Sequence, residues 1–249
     1  MKIFIKNPEQ LDIMRAAGKI AAETLALLEK NITVGVTTGE LDRLADAYIR
    51  SQGAAPSFLN YNGFPASVCI SLNEQVIHGV PGIRRLKSGD IVGIDVGACL
   101  RGFHADAART FPVGEITDEH KRLIAVTEES FFKGIEFARK DCFLHQICAA
   151  IGFHAERNGF SVVRGYTGHG VGRKLHEDPQ IPNFKLPTRG PRLSQGMTLA
   201  IEPMVNAGKA DIKILEDGWT VVTKDGKYSS HYENTVVITD NGPEIITLI

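Results

Sequence analysis

The sequence predicts an α+β fold of two similar halves, read as one domain over residues 1–249. Three observations carry this. Apolar residues recur at steps of three and four through the first 55 positions, as on one face of a helix. Short runs rich in branched residues and punctuated by glycine then fill residues 66–113, as strands do. The same succession, helices followed by strands, repeats from about residue 118 onward. Alternating βαβ units would interleave the two types instead, and no linker or low-complexity stretch divides the chain.

Taken in order, Leu11, Met14, Ala17, Ala21, Leu25 and Leu28 form the apolar stripe of a first helix, with Asn7-Pro8 supplying a cap and first turn. Thr37 and Glu40 have capping-box spacing ahead of Leu41, Leu44, Ala45, Tyr48 and Ile49, and Gly53 suits the C-terminal stop. ASVCISL, DIVGIDVGACL and ADAARTFPV read as strands. Two helices are expected at roughly 118–139 and 143–158. The first carries Leu123, Ile124, Thr127, Phe131, Ile135 and Ala138; the second carries Ile147, Cys148, Ile151 and Ala155 before Gly159. FSVV, MTLAIEP and WTVVT read as strands again. Lys224-Asp225-Gly226 turns into one long strand through Glu233 to Ile238, and Asn241-Gly242 marks a last hairpin into EIITLI.

Composition excludes several classes of function. A net charge of −1 leaves no electrostatic footprint for nucleic acid or an acidic membrane. Ile83-Arg84-Arg85-Leu86-Lys87 is a local basic cluster and reads as a solvated turn. No apolar run reaches 18 residues, and MKIFIKNPEQ lacks the apolar stretch of a signal peptide. Cys69, Cys99, Cys142 and Cys148 form no CxxC pair, so they read as reduced thiols of a cytoplasmic protein.

Five residues that can ligate metal stand in or beside apolar runs: Asp95 in IVGIDVG, Asp106 in ADAARTFPV, His169 in TGHGVG, Glu202 in TLAIEPM and Glu233 in HYENTVVI. Burying a bare carboxylate costs several kcal/mol or more, and no Lys or Arg stands within the runs around Asp95, Glu202 or Glu233. A metal is the simplest counter-charge, and four carboxylates suit two ions better than one. If 91–96 and 104–110 pair as a hairpin, Asp95 and Asp106 share a face, with Gly93 and Gly97 leaving room beside them. Salt bridges to Arg101 or Arg109 are the alternative.

His169 is expected in a glycine-rich loop after a strand, where backbone approaches a ligand closely. The alternating Gly168, Gly170 and Gly172 are only superficially a dinucleotide fingerprint. Oxygen donors with one imidazole suit Mn, Fe, Co or Zn, and the lack of thiolate argues against structural zinc. Two ions about 3.5–4 Å apart would bring a bound water towards neutral pKa, which is a design for hydrolysis. His104-Ala105-Asp106 with His169 also matches a two-histidine, one-carboxylate iron site, but that reading leaves Asp95, Glu202 and Glu233 unexplained.

Asn73-Glu74-Gln75-Val76-Ile77-His78-Gly79, Asp95-Val96-Gly97, His104-Ala105-Asp106-Ala107-Ala108-Arg109-Thr110, Gly168-His169-Gly170-Val171-Gly172, Glu202-Pro203-Met204 and Tyr232-Glu233-Asn234-Thr235 occur in that order. Together they resemble the short bacterial (type I) methionine aminopeptidases of the pita-bread metallopeptidase family, over essentially the whole chain. The resemblance implies helices outside a curved, mainly antiparallel sheet of two pseudo-symmetric halves. It implies a dinuclear site on Asp95, Asp106, His169, Glu202 and Glu233, with Asp106 and Glu233 bridging. Glu202 would also be general base for a bridging hydroxide that attacks the scissile carbonyl. His176 would stabilise the oxyanion and His78 would bond near the scissile amide. The methionine pocket would comprise Phe58, Tyr61, Phe64, Cys69, Leu175, Trp219 and His231, aromatic edges suiting a thioether. A monovalent cation would sit on carbonyls near Asn73, Gln75 and Ser229.

The implied reaction is removal of the initiator methionine from nascent polypeptides with a small second residue, by a monomer working near the ribosome. Two positions depart from the pattern: Leu175 stands where the family usually has Phe, and His231 where it usually has Gln. Proline-specific relatives usually carry a further N-terminal domain, which this sequence lacks. The eukaryotic-cytosol type carries an insertion for which the 26-residue step from His176 to Glu202 leaves no room. Non-catalytic relatives, which act as binding modules, have lost ligands that are all kept here.

Overall fold

The computed structural model describes residues 2–248. In chain order it comprises α1 (Pro8–Asn31), α2 (Thr38–Ser51), β1 (Ala55–Pro56), a 3-10 turn (Tyr61–Gly63), β2 (Cys69–Leu72), β3 (Gln75–Ile77), β4 (Ile91–Leu100) and β5 (Phe103–Pro112). The second half follows with α3 (Asp118–Ile135), α4 (Leu144–Arg157), β6 (Ser161–Val162), β7 (Gly168–Gly170), β8 (Glu177–Ile181), β9 (Thr198–Ile201), β10 (Met204–Asn206), β11 (Ile212–Ile214) and β12 (Val221–Thr223). It closes with β13 (Ser229–His231), β14 (Glu233–Thr239) and β15 (Gly242–Ile245).

Both helix starts form as their local sequence dictates. Asn7 and Gln10 exchange side-chain and backbone bonds at the start of α1, and Thr37 and Glu40 do so at α2. The main sheet runs β1-β4-β5-β14-β9-β7-β8, with β2 beside β4 and β15 beside β14, every pairing antiparallel. Alternation along β4 separates two jobs. Val92, Ile94, Val96 and Ala98 join Leu25, Leu28, Leu41 and Ile49 of α1 and α2 in one core, while Gly93, Asp95 and Gly97 face the other way. In the second half Phe131, Ile147 and Ile151 of α3 and α4 pack on Leu199, Ile201, Val236 and Ile238 of β9 and β14. Helices thus cover one face of each half, and the opposite face is left for chemistry.

Three expectations change. The α3 helix ends at Ile135, so Ala138 is buried just beyond it in a turn. His169 lies in β7 rather than a loop, because Gly168 and Gly170 bring its backbone into register with Ile181 and Leu199. The residues after His176 form β8, a strand beyond those expected. The long strand expected through Glu233 is two strands in different sheets: β13 pairs β10, β14 pairs β5 and β9, and the chain crosses between them at Tyr232. The last hairpin forms as β14–β15, with Ile249 outside the described residues.

Candidate metal and substrate site

Sheet register places the carboxylates. Leu100 pairs with Phe103 across a two-residue turn whose Arg101 and Gly102 have φ of 49° and 75°, the left-handed pair such hairpins require. Counting back, Gly97 lies opposite Asp106 and Asp95 opposite Ala108, and Ala108 also pairs with Glu233. Directly paired residues share a face, so Asp95, Ala108 and Glu233 form a row, with Asp106 one step along. His169 pairs with Ala200, which pairs with Thr235, two positions from Glu233. His169 therefore joins the same face. Thr235 fixes Asp106 from behind: its hydroxyl donates to the Asp106 carbonyl at 2.9 Å and accepts from its N–H at 2.8 Å. Gly97 is required here, since a Cβ would lie 2.6 Å from the Ser57 Cβ and 2.8 Å from the Phe58 ring.

Glu202 follows β9, its carbonyl accepting from the buried Asn183 amide at 2.8 Å. Its Oε1 lies 3.6 Å from His169 Nε2 and its Oε2 3.5 Å from His231 Nε2. The other His169 nitrogen, Nδ1, lies 2.9 Å from the Gly170 carbonyl and donates to it in the tautomer that leaves Nε2 a lone pair facing the carboxylates. Arg109 does not neutralise the cluster. Its guanidinium donates to the Glu233 and Ala108 carbonyls and to Asn234 Oδ1, and lies 4.0 Å over the Tyr232 ring. Neither Arg109 nor Arg101 forms a salt bridge to these carboxylates among the described residues.

Charge in this cluster is uncompensated. Burial raises the pKa values of Asp95, Glu202 and Glu233 well above the carboxylate range, and neighbouring carboxylates add to it; burial lifts Asp106 to about 7. Asp95 Oδ1, Asp106 Oδ1 and Glu233 Oε1 are buried with no hydrogen-bond partner. Such orphans call for an explanation. Donor atoms of Asp106, His169 and Glu233 lie within 4.8 Å of one another, as do those of Glu202, His231 and Glu233. Hard oxygens with imidazole fit divalent ions, so the residues present suit the counter-charge expected from their sequence pattern.

A small cavity of about 70 Å³ is walled on one side by the cluster and on its apolar side by Phe58, Tyr61, Phe64, Cys69, Leu175 and Trp219. Trp219 meets Phe64 edge-on at 5.2 Å, and Asp217 Oδ1 accepts the Trp219 backbone N–H at 2.9 Å. Burial, with Asp95 next, pushes the Cys69 thiol up, so it stays protonated. An outer cleft of about 900 Å³ meets this cavity at His78, His169, His176 and Glu202. The His176 ring lies 4.2 Å from that of His169, and its Nδ1 is 2.8 Å from the Tyr61 hydroxyl. His78 takes a left-handed φ of 57°, meets Tyr166 edge-on at 5.5 Å, and is lowered to about 4 by burial and then His176.

His231 stands elsewhere than expected: it does not line the cavity, and its ring faces Glu202 and Glu233. The Asn73 carbonyl accepts from Ser229 N–H at 2.8 Å, so those two expected cation residues are neighbours. The Gln75 side chain is turned to Leu72 N–H. His104 is held through Nδ1 by Ser57 Oγ at 2.9 Å and belongs to neither group of clustered donor atoms, which leaves the iron-site reading without its first histidine. Sequence reasoning passed over Asn183 and the supporting roles of Arg109 and Thr235. A polar residue inside an otherwise apolar strand was the available signal for Thr235; Asn183, in an irregular segment, carried none.

The model of metallopeptidase family M24 matches residues 12–240, and the chain belongs to that family. Its sequence is 61 % identical over 247 residues to the methionine aminopeptidase of Clostridium perfringens, covering 99 % of each chain. It is 53 % identical over 247 residues to methionine aminopeptidase 1 of Bacillus subtilis, covering 99 % of this chain and 100 % of that one. The crystal structure of methionine aminopeptidase from Thermotoga maritima superposes with a TM-score of 0.98 at 43 % identity, over the whole of both chains. Within the family the chain therefore groups with methionine aminopeptidases of the short bacterial type, and its architecture is the pita-bread fold. The prolidase from Pyrococcus furiosus shares that fold, with a TM-score of 0.81 at 24 % identity, over 98 % of this chain and 65 % of that one.

Proposed function

We propose that this chain is a metal-dependent exopeptidase that releases the N-terminal methionine of nascent proteins whose second residue is small. One observation carries the reading: the carboxylate–histidine cluster forms one wall of a cavity of about 70 Å³ whose other wall is apolar, and a larger cleft meets that cavity at His78, His169, His176 and Glu202. A cavity this small takes one side chain and leaves little room for a preceding residue, which favours cleavage at the terminus. Asp95, Asp106, His169, Glu202 and Glu233 would hold two divalent ions. When bound, the ions polarise the scissile carbonyl and lower the pKa of water beside it.

The rest falls to side chains of this chain. As water adds to the carbonyl carbon, Glu202 takes its proton and returns it to the departing amide nitrogen as the C–N bond breaks. His176 meets the oxyanion through Nε2–H, the tautomer in which Nδ1 accepts from the Tyr61 hydroxyl. His78 bonds near the scissile amide, and Phe58, Tyr61, Phe64, Cys69, Leu175 and Trp219 enclose the methionine side chain. The ions would be Co, Mn, Fe or Zn, with a monovalent cation near Asn73, Gln75 and Ser229. Continuity of the sheet across both halves supports reading residues 1–249 as one catalytic domain. It would act as a cytoplasmic monomer on N-termini emerging near the ribosome.

The test is hydrolysis of Met-Ala-Ser, Met-Lys-Ser and Ala-Pro-Ala by metal-free protein titrated with Mn, Fe or Co. Metal-dependent release of methionine from the first peptide alone is expected, with Glu202→Gln folded but inactive. Cleavage of the proline peptide would assign the proline-specific chemistry instead. Silence on all three, with metal bound, would make the chain a binding module.

A further inference from the structure

We propose that His231 is a sixth protein ligand of the metal site, giving each of the two ions an imidazole donor. The inference rests on the two-ion reading above. His231 is 3 % exposed, and its Nε2 has no hydrogen-bond partner. That nitrogen lies 3.5 Å from Glu202 Oε2 and 3.9 Å from Glu233 Oε2, beyond the usual N–H···O range of 2.7–3.2 Å. The 3.5 Å separation from Glu202 suits a different relation. Ligand atoms about 2.0–2.2 Å from one ion stand roughly 3.0–3.5 Å from each other.

His169 supplies the comparison within the same site. Its Nε2 lies 3.6 Å from Glu202 Oε1, so the two imidazoles flank the two oxygens of one carboxylate. The backbone holds His231 in this position. Its N–H donates to the Thr110 hydroxyl at 2.9 Å, and that hydroxyl donates to the His231 carbonyl at 2.9 Å. The charges also close: four carboxylates offset two divalent ions, and a neutral imidazole adds a donor without adding charge. An imidazole on the second ion would shift that position towards Zn, Fe or Co and away from Mn.

The test titrates metal-free protein with cobalt(II), following the two binding steps by calorimetry and the ligands by cobalt X-ray absorption. Wild-type protein should show about one imidazole per cobalt. In His231→Leu one step should weaken tenfold or more, the other should change less than twofold, and the count should fall to about one-half; His231→Gln serves as a second variant. One-half imidazole per cobalt in wild-type protein overturns the proposal even if neither variant folds. Two unchanged steps in a folded variant overturn it as well. Fewer than two cobalt ions bound by wild-type protein would remove the two-ion reading itself, and the proposal with it.

Discussion

Replacing Lys6 by Met tests how the segment carrying His176 is anchored. Lys6 Nζ lies 2.6 Å from Glu177 Oε2, with side-chain exposures of 4 % and 3 %. The ammonium also donates to the Phe4 carbonyl, and Glu177 Oε1 accepts from Lys174 N–H. Burial lowers the Lys6 pKa, and Glu177 opposes that shift. The pair ties the chain ahead of α1 to the first residue of β8, one position after His176. At 2.6 Å and an effective dielectric constant near 20, the attraction is on the order of 6 kcal/mol, offset by desolvation of both ions.

Lys6→Met removes the attraction and leaves the buried Glu177 carboxylate with only the Lys174 N–H. Breaking a buried pair in this way costs about 3–5 kcal/mol. A neighbouring cavity of about 260 Å³, lined in part by Lys6 and Glu177, gives water access and favours the lower end. Lys6→Met/Glu177→Leu removes both charges and should recover most of the loss. Urea unfolding at neutral pH, read as a double-mutant cycle, measures this. A loss below about 1 kcal/mol for Lys6→Met, the range of exposed pairs, would refute the reasoning.

Three further outcomes are expected. Chelating the metals should lower the calorimetric Tm: an ion present at about 1,000 times its Kd contributes about 4.1 kcal/mol. For a chain of this size that is roughly 8–16 °C per ion, and an unchanged Tm would contradict the metal assignment. Trp219→Ala opens one wall of the cavity away from the carboxylates, so KM for Met-Ala-Ser should rise about tenfold (about 1.4 kcal/mol) while kcat changes less than about threefold; a selective fall in kcat would move Trp219 into the chemistry. Burial depresses the His78 imidazole from its ordinary 6.5 to about 4, so the unfolded chain takes up this proton first. Its stabilising contribution is therefore full above pH 6.5 and lost as pH falls towards 4. Metal-free His78→Gln should show a shallower fall of Tm with acidification across that window, and parallel profiles would count against it.

Local rules made much of this fold legible. The caps at Asn7 and Thr37 depend on residues three positions apart, and both form as read. Asp95 and Asp106 are expected on one face on the condition that 91–96 pairs with 104–110, and the Arg101-Gly102 turn meets that condition by fixing the register of the hairpin. Carboxylates set in apolar runs announced a counter-charge for the same physical reason that leaves their oxygens unpaired in the folded chain. What could not be read depends on partners distant in sequence. Nothing near Tyr232 says that β13 will join β10 while β14 joins β5 and β9. That crossing turns His231 from an expected pocket wall into a neighbour of Glu202 and Glu233. Asn183 finds the Glu202 carbonyl from an irregular segment 19 residues away, with no periodicity to mark it.

The division of labour across the sheet decides whether metal makes this fold or enters a fold already made. The two largest apolar clusters join α1 and α2 to β2 and β4, and α3 and α4 to β9 and β14; none of the five expected ligands belongs to either. Those cores lie on the helix-covered face. The carboxylates gather on the other, where hairpin register and Thr235 hold them. Without ions their mutual repulsion and burial oppose folding, and protonation relieves part of that, as the raised pKa values of Asp95, Asp106, Glu202 and Glu233 require. Small zinc domains lack such cores and unfold without metal. Here the metal-free chain should stay folded, with a lower Tm and native near-ultraviolet circular dichroism. Loss of that signal on chelation would place the ions among the determinants of the fold and overturn this separation of scaffold from site.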